Sequence, residues 1–263
     1  MYNDENNNYN NGYNNTYNYD AGYNNGYDNS YNNGYGSGYQ TQSNYFSNLK
    51  QISNEAYNLI IGGVLLYGFV INCIMTKCFG DSITRFMAGN YLAFFITYIV
   101  MVVVGTLMVN KSDNPVISFI GYNFIVVPLG MVLSSVLTIY NLAGYSDTIT
   151  LAFALTAVVT LVMMFAATIF PSFFLSIGRT LFFTLLITFI AELFFTFVLH
   201  AELGIFDYIV VLIFCGYIGY DWAKANAIPK TVDNAVDSAA ELYVDIINLF
   251  LRLLRILARA NNN

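Results

Sequence analysis

Two aspartates near the end of the chain have the type and placement for chemistry: Asp221, in Gly219-Tyr220-Asp221, and Asp245, in Leu242-Tyr243-Val244-Asp245-Ile246-Ile247-Asn248. Each lies in or at the end of a stretch that otherwise reads as membrane-spanning. A carboxylate at membrane depth costs on the order of several kcal/mol unless it is neutralised, paired or hydrated. Two carboxylates held side by side repel, so such a pair shares a proton. That makes a pH-responsive latch. With the proton it is a closed hydrogen-bonded contact; without it, two anions draw in water or a cation. Carboxylate oxygens in flexible surroundings suit Ca²⁺ as a transient ligand.

The elements that position this pair follow from composition. The chain has 263 residues, 57% hydrophobic and 10% charged. Soluble domains carry about 25% charged residues, so the class is an all-α integral membrane protein with the lipid bilayer as its surroundings. The formal net charge of −6 says little about partners, and no basic patch points to nucleic acid. Cys73, Cys78 and Cys215 are odd in number and sit in apolar runs. They are expected to be small buried residues outside any disulfide framework. Neither Cys73 nor Cys78 has a neighbouring His or further Cys, so a zinc site is not expected, and no cofactor is implied.

The chain divides at about residue 48. Residues 1–47 are rich in Asn, Tyr, Gly and Ser, with tyrosine recurring every fourth residue from Tyr9 to Tyr17 and again from Tyr19 to Tyr39. The Gly and Asn content argues against a helix, so this tail is expected to be disordered, and it lacks the layout of a signal peptide. Residues 48–260 are expected to form a transmembrane domain. Six apolar segments run at about 58–77, 86–109, 116–142, 148–170, 179–199 and 205–220, each near the length that crosses roughly 30 Å of hydrocarbon. Lys50, Lys111, Arg179, Lys224 and Lys230 gather on one side of these spans. The positive-inside rule makes that side, and the N-terminus, cytoplasmic.

A seventh segment, about 239–258, is different. Its polar residues are Glu241, Asp245, Asn248, Arg252, Arg255 and Arg259, spaced alternately by four and three. That spacing places all six on one helical face. A charged stripe cannot face lipid, so the helix is read as inserted in the bundle with the stripe against protein or water. The alternative is a helix lying flat at the interface. A polar hairpin over 221–238 turns the chain back, so the sixth and seventh helices run antiparallel. Asp245 is about 10 Å into its segment at 1.5 Å per residue, and the two carboxylates reach similar depth.

Tyr220-Asp221, the short hairpin, and Leu242-Tyr243-Val244-Asp245-Ile246-Ile247-Asn248-Leu249-Phe250-Leu251-Arg252-Leu253-Leu254-Arg255 together resemble the C-terminal signature of the Bax inhibitor-1 family, in the style of its bacterial YetJ-like branch. The likeness is specific over about 216–257. It implies a bundle of seven transmembrane helices with the last one central, and a pH-sensitive Ca²⁺ leak. It further implies that Asp221 and Asp245 are the paired aspartates that sense protons and gate the pore, and the bacterial style points to a plasma membrane. Trp222-Ala223 follows Tyr-Asp here where the family often has Thr-Gln. The second span holds no charge that could serve as a basic latch partner.

Further polar positions mark the fifth span, where Thr184, Thr188, Glu192, Thr196 and His200 recur every four residues. Glu192 falls near mid-membrane, and is read either as part of a cation path and a third titrating acid or as interhelical packing. Tyr57, Tyr122, Tyr140, Tyr145, Tyr208 and Trp222 are expected as interfacial anchors. Gly62, Gly63 and Gly68 are expected to permit close helix contact. Three functions compete. The first is a Ca²⁺ leak gated by the aspartate pair. The second is a non-conducting regulator acting through membrane-protein partners, with the aspartates neutralised by Arg252 or Arg255. The third is an intramembrane aspartyl protease. The protease reading lacks a Gly-x-Gly-Asp motif, since Leu242-Tyr243-Val244 precede Asp245, and the chain is not expected to be an enzyme.

Overall fold

A computed structural model describes residues 50–201 and 203–261. The low-complexity segment over 1–47, and its boundary with the transmembrane domain, lie outside the described residues. Among the described residues seven helices follow one another: α1 (Asn54–Gly89), α2 (Tyr91–Lys111), α3 (Pro115–Leu142), α4 (Ser146–Ile169), α5 (Pro171–Phe197), α6 (Ile205–Ala227) and α7 (Val232–Asn261). Among the described residues there is no strand. The helices α1 to α6 are each long and apolar enough to cross a membrane.

Local chemistry sets the ends. Ser53 caps α1 by accepting a hydrogen bond from the Ala56 amide at 3.2 Å. Asn114 caps α3 through the Val116 amide at 2.9 Å, and Pro115 and Pro171 occupy the first turns of α3 and α5, where a missing N–H costs nothing. Gly144, at φ 87°, turns the chain between α3 and α4. The sixth helix extends further than its apolar run. It continues through Trp222, Lys224 and Ala225 to Ala227, and the connection to α7 shrinks from the expected 221–238 to 228–231. Residues 222–227 are compatible with a helix; Pro229 stops it, since proline disfavours helical geometry in the residue before it and lacks an amide. Asp221 is therefore inside α6 rather than at its end. α1 likewise runs on past Lys77 through Asp81 and Arg85 to Gly89, and the break before α2 falls at Asn90.

α7 is the central helix. It packs against α1, α3, α4 and α6 and touches α2. Its buried residues include Ala235, Ala239, Leu242, Tyr243 and Leu249, all fully enclosed. A core of Tyr122, Val126, Leu133, Tyr243 and Phe250 joins α3 to α7. A second, of Ile61, Phe214, Ile218, Leu242 and Leu249, joins α1 and α6 to α7. Close approach of α2 and α3 needs two facing glycines: a Cβ on Gly105 would lie 2.6 Å from the Gly121 carbonyl oxygen, and one on Gly121 2.8 Å from that of Gly105. Gly68 serves the same end against the Tyr122 ring, whereas Gly62 and Gly63 have open space around them.

Two groups of side chains sit elsewhere than composition suggests. Tyr57 and Tyr122 are fully buried rather than interfacial. Each phenol finds a partner inside: Tyr57 with the Ser238 hydroxyl at 3.1 Å and the Asn234 carbonyl at 3.3 Å, Tyr122 with the Val64 carbonyl at 3.0 Å. A satisfied hydroxyl lets the ring join the core. Cys73 and Cys78 are exposed on α1, and Cys215 is half-buried; all three are free thiols. Cysteine is apolar enough to face lipid without penalty.

Candidate functional site

On α7 the polar face begins earlier than the apolar pattern showed. Asp233, Asp237, Glu241 and Asp245 follow at intervals of four, and the face continues through Asn248, Arg252, Arg255 and Arg259. Ser118 on α3 donates to Asp233 at 2.9 Å. Lys224 on α6 pairs with Glu241 at 2.6 Å, both half-buried. Stepping three residues back from Lys224 on α6 and four forward from Glu241 on α7, as the antiparallel register requires, arrives at Asp221 and Asp245.

Those two aspartates meet. Both are buried, at 7% and 6% exposure, and their carboxyl groups lie close enough to interact directly. An ionised carboxylate has no hydrogen to donate, so a bond across this contact would need a proton on one partner. Asp245 Oδ2 is buried without a hydrogen-bond partner. Tyr217 lies one turn before Asp221 on α6.

The pair lies between two cavities. The first, of ≈ 720 Å³, opens at the α6–α7 connection and is lined by Lys50, Asp113, Lys224, Asp233, Asp237 and Glu241 among others. The connection there is well tied. Lys230 donates to the Ala225 carbonyl at 2.7 Å and lies 4.6 Å from the centre of the Tyr57 ring, and burial holds its ammonium below the ordinary lysine range. The Ile52 amide also bonds the Lys230 carbonyl at 2.8 Å. The second cavity, of ≈ 550 Å³, lies at the other end of α7 and is lined by Tyr140, Tyr145, Glu192, Asp207, Arg255 and Arg259 among others. α7 thus runs from one cavity to the other inside the bundle rather than lying flat at the interface.

The comparisons with known proteins agree with the signature around these residues. The family model described as inhibitor of apoptosis-promoting Bax1 matches residues 49–263. The chain belongs to the Bax inhibitor-1 family. A BI1-like protein of Arabidopsis thaliana is 40% identical over 63 residues, 24% of this chain and 24% of that protein. Protein LIFEGUARD 3 of the same plant is 50% identical over 54 residues, 20% of this chain and 21% of its own length. The aligned stretch therefore spans about a quarter or less of these curated relatives. They are plant proteins rather than members of the bacterial branch. No solved structure matches the chain.

Within this Bax inhibitor-1 family bundle the charges form two stations. Asp221 and Asp245 make the first. The second is an ionic cluster that joins α5, α6 and α7. Arg252 grips Glu192 with two parallel bonds, Nη1–Oε1 at 2.8 Å and Nη2–Oε2 at 2.9 Å, and reaches Asp207 at 2.8 Å. Arg255 contacts the same two carboxylates at 3.4 and 3.2 Å, and Arg259 bonds Asp207. Arg252 and Arg255, considered above as partners for the aspartate pair, are thus engaged with Glu192 and Asp207. Asp207, in the first turn of α6, is the site residue not singled out from the sequence; it is 1% exposed. A signal was present: it precedes Asp221 by fourteen residues, close to four turns, and so shares its face of α6. Among the described residues no group of three or more His, Cys, Asp or Glu side chains is arranged to hold a metal ion.

Proposed function

We propose that this chain is a multi-pass membrane protein that lets Ca²⁺ leak along the polar face of α7, with the Asp221–Asp245 pair as its proton-dependent gate. The observation that carries the reading is the pair itself: two buried carboxyl groups facing each other, midway along a polar face that has a cavity of ≈ 720 Å³ at one end and ≈ 550 Å³ at the other. Protonated, the pair is a neutral plug. Losing the proton places two anions in a site that cannot hold them unscreened, so the helices part and water and a cation enter. The carboxylates then ligate Ca²⁺ transiently, which suits oxygen donors without a preformed cage. Lys50 and Lys224 both line the first cavity, and the positive-inside rule puts that end and the N-terminus in the cytoplasm.

Peptide hydrolysis by the same pair is disfavoured by the burial of both aspartates and by Leu242-Tyr243-Val244 standing where a Gly-x-Gly sequence would precede Asp245. The test is Ca²⁺ entry into liposomes holding the purified protein, measured against pH. Flux rises with pH in the wild type, and Asp245→Asn abolishes the pH response. Wild-type flux equal to that of empty liposomes at every pH would refute the reading and favour a regulator that acts through protein partners.

A further inference from the structure

The ionic cluster has no role in the gate described above, yet it stands in the same path. From Asp245 the polar face of α7 passes Asn248 and then Arg252. Beyond Arg252 lies the second cavity, whose lining includes Glu192 and Asp207 but not Arg252 itself. The two carboxylates line the cavity, and the guanidinium they hold stands between it and Asn248 along α7. A cation coming from the aspartate pair meets a fixed positive charge, and water meets a side chain clamped in three places.

The clamp also joins parts that are otherwise loosely connected. The backbones of α5 and α7 do not touch, so the bidentate Glu192–Arg252 pair bridges the space between them. α5 is lightly held, with Phe174 and Thr188 its buried residues. Its contacts are with α6 and, less extensively, α4. An element with few buried contacts opens at low free-energy cost. A bidentate arginine–carboxylate pair, by contrast, is directional and breaks as a unit. These are the features of a closure: a peripheral helix fastened to the central one through arginine–carboxylate pairs at Glu192.

We propose that the Glu192–Arg252–Asp207 clamp is a second gate, in series with the aspartate pair, that seals the path from the second cavity. It rests on the conduction reading for its purpose but not for its test. The test uses the full chain in liposomes, with Cys73, Cys78 and Cys215 changed to serine and Asn248→Cys as a reporter between the two stations. A membrane-impermeant maleimide is added on the side where the second cavity opens, identified by prompt labelling of Thr196→Cys. With the clamp intact the reporter labels slowly. Arg252→Gln raises the labelling rate at least tenfold, and Glu192→Gln, which leaves Asp207 with its arginines, raises it by less. Labelling that stays within twofold of the intact clamp in folded Arg252→Gln protein overturns the proposal. Should Arg252→Gln fail to fold, Glu192→Gln decides alone, with unchanged labelling as the contrary result. Labelling needs no ion flux, so a protein that passes no Ca²⁺ but opens to the reagent in these variants sinks the conduction reading and leaves the clamp standing.

Discussion

Replacing Asp207 by Asn tests the charge bookkeeping of α7 in one step. Asp207 is buried to 1% exposure and receives Arg252 at 2.8 Å, Arg255 at 3.2 Å and Arg259. Removing one partner of a buried ion pair costs about 3–5 kcal/mol, because the remaining charge is stranded. Asparagine keeps the volume and one acceptor oxygen, and Glu192 still neutralises Arg252, so the lower end applies: about 3 kcal/mol. Arg255→Gln is the matched control. Its side chain is 44% exposed, solvent screens it, and its loss should cost under about 1 kcal/mol. The assay is unfolding of the purified protein in mixed micelles by SDS titration, followed by far-ultraviolet circular dichroism. A shift in midpoint for Asp207→Asn at least three times that for Arg255→Gln is expected. Equal effects of the two substitutions would refute the claim that Asp207 is the anchor on which the arginines converge.

Other outcomes follow from packing and hydrogen bonding. Gly105→Ala forces a methyl group against the Gly121 carbonyl at 2.6 Å and should cost about 1–3 kcal/mol in the same unfolding assay. Gly62→Ala meets nothing within 4 Å and should stabilise α1 by up to about 1 kcal/mol through helix propensity. Tyr57→Phe removes the bonds to Ser238 and Asn234 and should cost about 1 kcal/mol. It should also speed amide exchange at the α6–α7 connection, and unchanged exchange there would show that Tyr57 does not fasten it.

Much of this arrangement was legible in the sequence, for physical reasons. Spans show as runs of apolar residues because lipid accepts little else. The interior position of α7 follows from charges at Glu241, Asp245, Arg252 and Arg255 that hydrocarbon rejects. The meeting of Asp221 and Asp245 follows from a short connection and antiparallel register. What hydropathy could not show were contacts set by side-chain reach. Tyr57 reads as an interfacial anchor until Ser238 supplies a partner inside. Asp207, at the edge of the sixth apolar run, shows no partner until three arginines of α7 converge on it. The length of α6 was hidden because Trp222, Lys224 and Asn226 look like a hairpin to a hydropathy window, although Pro229 is the residue that ends the helix.

A proton held between Asp221 and Asp245 has a spectroscopic signature of its own. Infrared difference spectra of protein labelled with carbon-13 aspartate, reconstituted in lipid and titrated with base, report the carbonyl stretch of protonated aspartic acid directly. A protonated-carboxyl band should fade over the same pH interval in which Ca²⁺ flux appears, and Asp245→Asn should remove that coincident loss. A band absent wherever flux is shut, or one that Asp245→Asn leaves untouched, would contradict the shared-proton gate.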